Sequence, residues 1–175
     1  METKIEGGYT RDERFAKEFF SYYSYKTPAG IAVTVICIAA IAVGLINIIA
    51  AQEYLSFISV ALGIFLLILR CVRVKRTAKI MLDRDKEGNH GNYVVLQNLV
   101  TENCIVVKTS LNEAGLEYDM SCIVKVQRSR NYVYLTTKSR LAIVFDVKEF
   151  SKGTLEELIE LMRDRGAKIK IKGSL

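Results

Sequence analysis

The chain has 175 residues, half of them apolar and a quarter charged, with a formal net charge of +6. That size accommodates one small domain, or a membrane segment with one compact module. A single proline, a single histidine and four cysteines without a Cys-x-x-Cys pair exclude collagen-like, low-complexity, disulfide-framed and His-rich metal-binding classes.

Residues 1–28 hold five basic and five acidic residues and are read as an amphipathic cytoplasmic arm. Thr10-Arg11-Asp12-Glu13 fits a capping box, in which threonine and glutamate satisfy the first helical amides reciprocally. Phe15, Phe19, Tyr22 and Tyr23 then recur at helical spacing, with Arg14, Lys17 and Glu18 between them. A helix of this kind either sets its rings at headgroup level or packs them on a soluble domain.

Ala29 to Ala51 is 23 residues without a charge, enough to cross a hydrocarbon core of about 30 Å at about 1.5 Å per residue. Thr27 is a natural N-cap and Pro28 a natural first-turn residue for that helix. Gln52 and Glu53 make a short polar break. Tyr54–Leu69 is apolar again, and Cys71, Val72 and Val74 extend it to residue 74 if Arg70 and Arg73 snorkel. So small a chain lacks the polar material to bury both stretches, so a transmembrane hairpin of 29–51 and 54–74 is predicted.

Small residues recur four apart in each helix: Ala40 and Gly44 in the first, Ser59 and Gly63 in the second. They form either a homo-oligomer seam or the contact between the two helices, and the short connection favours the second. Neither span has an ionisable residue at its middle, which disfavours an ion-coupled pathway.

The segment 70–87 carries seven basic and three acidic residues, the densest positive run in the chain. It follows the apolar block directly, unlike the spread basic face with interleaved aromatics of a nucleic-acid binder, so no nucleic-acid partner is expected. The connection at 52–54 has no Lys or Arg. By the positive-inside rule both termini are cytoplasmic, with the first span an uncleaved signal anchor. Arg70, Arg73, Lys75, Arg76 and Lys79 are the candidate ligands for anionic headgroups, each contributing about 1 kcal/mol near the surface. Residues 75–91 are read as a charged linker. Within it Asp83-x-Asp85-x-Glu87-Gly88 imitates a calcium loop but puts Val94 where the bidentate glutamate belongs. His90 is placed in a solvated turn.

From residue 92 to 175 the period changes. Tyr93–Val100, Cys104–Ser110, Leu116–Ser121, Ile123–Arg128, Tyr132–Thr136 and Leu141–Asp146 are short β-branched or aromatic runs with turn clusters between them, the pattern of consecutive antiparallel strands. Thr154-Leu155-Glu156-Glu157 opens a helix whose apolar face is Leu155, Leu158, Ile159 and Met162, and Gly166 stops it. The alternating Lys168–Lys172 tail suits an edge strand protected by lysines. The predicted fold class is a membrane helical hairpin plus an α+β, mostly antiparallel module closed by one C-terminal helix.

In this layout the chain resembles the bacterial YcxB-like family. The residues that carry the likeness are Leu116–Val126, then Tyr132-Val133-Tyr134-Leu135, Leu141–Phe145, Lys148 and Phe150, and the helix opened by Thr154. The chain departs from the family at a tryptophan, where Tyr118 is the nearest aromatic, and at a Pro-Lys step, here Val147-Lys148. The resemblance implies a reduced pleckstrin-homology (PH-like) module on two spans and carries no enzymatic activity with it.

No Walker loop, dinucleotide fingerprint or nucleophile elbow is present, and the acidic pair Glu156-Glu157 is explained by the helix dipole. A non-enzymatic protein without cofactor or metal is expected, anchored in the inner membrane, its partners the bilayer and a protein. The other classes open at this stage are an immunity protein against a toxin or bacteriocin and a small transporter subunit.

Overall fold

The computed structural model describes residues 3–51 and 55–170. It contains two units: Glu13–Arg84, and a second that joins Met1–Asp12 to Asp85–Leu175. The short connection at Gln52 and Glu53, and the tail positions Ile171 and Lys172, lie outside the described residues.

The first unit is helical. Helix α1 spans Glu13–Tyr25, α2 spans Pro28–Ala51 and α3 spans Ser56–Gly88, its last four residues belonging to the second unit. Thr27 caps α2 as its sequence implies: its hydroxyl accepts from the Gly30 amide at 3.2 Å and donates to the Tyr23 carbonyl at 2.9 Å. Both α2 and α3 are long and apolar enough to cross a membrane, and only 17% and 11% of their apolar windows are buried. A helix in a soluble core would bury a full stripe, so the apolar surface here faces outward. Helix α3 does not stop at residue 74. It carries on through the stretch expected to be a charged linker, because residues 75–87 contain no glycine or proline and consist largely of good helix formers.

The second unit begins at the N-terminus. Residues Ile5–Thr10 form strand β1, not part of an arm, and β1 pairs antiparallel with β2 (Val95–Val100), from Ile5 opposite Val100 to Thr10 opposite Val95. The chain continues through β3 (Cys104–Thr109), β4 (Asn112–Asp119), a 3-10 turn at Met120–Cys122, β5 (Ile123–Arg128), β6 (Tyr132–Thr137), β7 (Ala142–Asp146), β8 (Phe150–Lys152), α4 (Leu155–Asp164) and β9 (Lys168–Lys170). One sheet has the order β4-β3-β2-β1-β8 and the other β7-β6-β5-β9. All pairings are antiparallel except that of β9 with β5.

Of the six strand runs read from the sequence, Ile123–Arg128 appears with the expected ends and the other five with ends shifted by one to four residues. Strand β4 starts at Asn112, four residues before the expected Leu116, because the Asn112–Gly115 cluster pairs back on β3 through a bulge. Strands β1 and β8 are additions to the expected set. Strand β1 contains Gly7-Gly8, and the crowding around them explains why. A Cβ on Gly8 would meet the Leu96 carbonyl at 2.5 Å, and one on Gly7 would meet both the Glu149 carbonyl and the Phe145 ring at 3.1 Å. Side chains there would push β1 off both neighbours.

Ile5, Val100 and Ile105 from one sheet meet Val126, Val133, Leu135 and Phe145 from the other, Met120 of the 3-10 turn joins them, and Leu155, Leu158, Ile159 and Met162 of α4 close the core. The α4 capping box forms as read, with Thr154 and Glu157 bonded reciprocally at 3.2 and 2.9 Å. Gly166, at φ +81°, ends the helix. Asn98, fully buried, donates to the Val144 carbonyl at 2.6 Å and so ties one sheet to the other. On β9, Lys168 and Lys170 are exposed at the sheet edge. Burial, and secondarily the charges of Lys170 and Lys168, lower the pKa of the neighbouring Lys125.

Candidate functional site

The five basic side chains after the second apolar stretch do not act as one group. Arg70 turns inward. Its guanidinium donates to the Thr34 hydroxyl at 2.7 Å, to the Gly30 carbonyl at 2.8 Å and to the Ser24 carbonyl, and it lies 4.6 Å from the centre of the Tyr25 ring. Its hydrogen bonds are thus made inside the chain, which sets it apart from the other four basic residues of the run. Arg70 is a fork that ties α3 to the start of α2 and the end of α1. Gly30 makes the approach possible, since a Cβ there would collide with the Ser24 carbonyl and stand 3.0 Å from an Arg70 nitrogen. The Tyr25 hydroxyl is also 3.2 Å from the Cys71 sulfur, on the next residue of α3.

Arg73, Lys75, Arg76 and Lys79 are exposed. Helical geometry divides them: Arg73 and Thr77 are four apart on the face of Arg70, whereas Lys75 and Lys79 are four apart on another. The Arg70 face opens into a cleft of about 350 Å³ between α1 and α3, lined by Phe20, Ser24, Arg70, Arg73, Val74 and Thr77. Among the described residues neither arginine is in an ion pair with an acidic side chain, in contrast to Lys4, which pairs with Glu102, and Arg11, which pairs with Asp85. Arg70 is therefore satisfied in hydrogen bonds by neutral acceptors while its charge is not balanced.

Of Ala40, Gly44, Ser59 and Gly63, the two glycines lie against the facing helix of the same chain, Gly44 against Ser59 and Gly63 against Ile41 and Cys37. A Cβ on Gly63 would stand 2.6 Å from an Ile41 side-chain carbon and 3.1 Å from the Cys37 carbonyl, and one on Gly44 would strike Ser59 and Val60. Gly44 and Gly63 are buried, Ala40 and Ser59 half-buried, and the Ser59 hydroxyl is turned back onto the Ser56 carbonyl at 2.8 Å. The contact is between the two helices, as the short connection implies.

The acidic stretch that imitates a calcium loop is part of α3, so its backbone cannot wrap an ion. Asp85 pairs with Arg11 at 3.5 Å. His90 lies in an exposed turn at φ 52°. All four cysteines are free thiols. Among the described residues no three His, Cys, Asp or Glu side chains gather as a metal group would require.

Phe20, Ser24, Gly30 and Thr34 were not candidates from the sequence. Their roles depend on α1 and the start of α2 meeting α3 at separations of 36 to 46 residues along the chain. The available local signal is Thr27-Pro-Ala-Gly30, which marks a capped helix start but not its partner. Compared with protein-family models, with curated proteins and with solved structures, the chain matches none of them.

Proposed function

We propose that this is a two-span membrane protein holding a PH-like module at the cytoplasmic leaflet, where it binds a protein or lipid partner without catalysing a reaction. The observation that carries this is the insertion point of the helices. They interrupt the module between β1 and β2, whose adjoining ends, Thr10 and Val95, are paired residues of one ladder. A chain that leaves a folded module and returns to the same ladder crosses a bilayer an even number of times, and α2 and α3 supply two crossings.

The side of the membrane follows from charge. Arg70, Arg73, Lys75, Arg76 and Lys79 cluster where α3 leaves its apolar stretch, and such clusters stay cytoplasmic. Two sheets packed on each other, with one helix after the second, support the PH-like assignment and the YcxB-like resemblance. Anchoring confines the module to a thin layer, which raises its effective concentration toward membrane-bound partners.

Protease treatment of sealed membranes tests the topology. In inverted vesicles, sites in exposed module segments such as Lys138–Arg140 should be cut; in right-side-out vesicles they should be protected. Cleavage from the outer side alone would sink this function.

A further inference from the structure

We propose that the cleft between α1 and α3 binds the phosphate of a phosphate ester, carried by an anionic lipid headgroup or by a small soluble phosphate. This rests on the membrane topology proposed above and deepens it: a diffuse basic stretch becomes one defined site. Arg73, Thr77 and Ser24 would contact the phosphate oxygens, and Arg70 would stand behind them as a fixed charge.

Charge is the first reason. Arg70 and Arg73 stand one helical turn apart and have no carboxylate between them, and the three acceptors that hold Arg70 are two carbonyls and a hydroxyl. These neutral oxygens fix the guanidinium in place without cancelling its charge. A part-buried cation held this way favours an anion beside it more than a mobile lysine in water does.

Donor chemistry is the second reason. Arginine forks match phosphate oxygens, and the hydroxyls of Ser24 and Thr77 add neutral donors to the same wall. The third is position and size. The cleft starts at Arg70, directly after the apolar run that ends at Leu69, which is headgroup depth for a spanning α3. Phe20 and Val74 give it an apolar side suited to the glycerol end of a lipid, and about 350 Å³ is within the range of small-ligand sites. Lys75 and Lys79 share none of this; they lie outside the cleft.

The full chain is reconstituted in nanodiscs of phosphatidylcholine containing phosphatidylglycerol, and native mass spectrometry counts the lipid retained on release. One phosphatidylglycerol per chain is expected. Arg73→Gln, an exposed position whose loss spares the Arg70 fork, should lower retention roughly tenfold, the equivalent of one charge-assisted contact. Lys75→Gln with Lys79→Gln removes twice the charge outside the cleft and should leave retention unchanged. If that double variant loses as much as Arg73→Gln, binding is diffuse and the site is overturned; the same follows if Arg73→Gln retains lipid like the wild type.

Excess glycerol phosphate separates the two sources. Displacement of the lipid assigns the cleft to soluble esters, and retention assigns it to the headgroup; either supports a phosphate site. Carbonate extraction of native membranes separates the two levels. A chain that resists extraction but retains no phosphate lipid removes the cleft alone, and a chain that is extracted removes the membrane topology and the cleft together.

Discussion

Tyr9 is 4% exposed, its ring stands edge-on to that of Tyr132 with centroids 6.3 Å apart, and its hydroxyl accepts a hydrogen bond from Arg11, which in turn pairs with Asp85. Burial raises the phenol above its ordinary value of 10.0, with the Arg11 charge pulling the other way. The folded chain therefore keeps this proton at a pH where the unfolded chain has released it. Stability from this group is intact below pH 10 and declines as pH rises beyond it. Tyr9→Phe should lose about 1 kcal/mol at neutral pH, for the missing hydrogen bond, yet lose less than the wild type between pH 9 and 11. Thermal unfolding of the purified chain and the variant across that range measures the difference, since the other tyrosines cancel. Parallel decline of the two curves would refute it. At this scale the sequence was least legible. Arg70 reads locally as one more member of a basic run, and its acceptors lie 36 to 46 positions away. Arg11 reads as part of a capping box until β1 brings it to Asp85 in the last turn of α3.

Among the elements, the same local signal had two outcomes. Thr154-x-x-Glu157 caps α4, whereas Thr10-x-x-Glu13 does not start a helix at Arg11, because Thr10 is held opposite Val95 in the β1–β2 ladder and α1 begins only at Glu13. A capping box states a local preference, and a ladder of six paired residues outweighs it. The apolar helices and the alternating strands were legible because burial and period come from the side chains themselves. Strand β1 was not, because Gly7-Gly8 erases the alternation that marks a strand, and β8, with three residues, is too short to show one. The small residues of α2 and α3 were legible as a packing motif, and their partner now follows from crowding. Gly63→Val should separate the two helices and cost about 1–3 kcal/mol, as over-packing does. Unfolding in mixed micelles titrated with dodecyl sulfate would register the loss. A variant that unfolds at the wild-type midpoint but changes in oligomeric mass would instead place Gly63 on a surface between chains.

Taken as a whole molecule, the chain completes its module from two pieces that synthesis separates by the seventy-two residues of the helical unit. Strand β1 is internal to the five-stranded sheet, with β2 on one side and β8 on the other, and it contributes Ile5 and Tyr9 to the buried interior. A fragment of residues 88–175 therefore lacks more than an appendage. It leaves one edge of β2 without its ladder, β8 without any partner, and two cavities, each costing about 2–5 kcal/mol if the site cannot collapse. Losses of that size approach the whole stability of a small domain, about 5–15 kcal/mol. Residues 88–175 alone should show no cooperative thermal transition and a poorly dispersed amide spectrum. The remedy is dictated by the insertion point: Arg11 and Asp85 form an ion pair at 3.5 Å, so the ends left by removing residues 13–84 lie close together. Residues 1–12 joined to 85–175 by a short Gly/Ser linker should fold as a soluble module with a single cooperative melt. If the fragment without β1 melts with the same midpoint as the linked form, the N-terminal strand is dispensable. If only the linked form folds, β1 waits for β2 until both apolar helices between them have been made. Contacts between Ile5 and Val100 then close a loop of more than ninety residues that contains both apolar helices, so assembly of the module follows their synthesis.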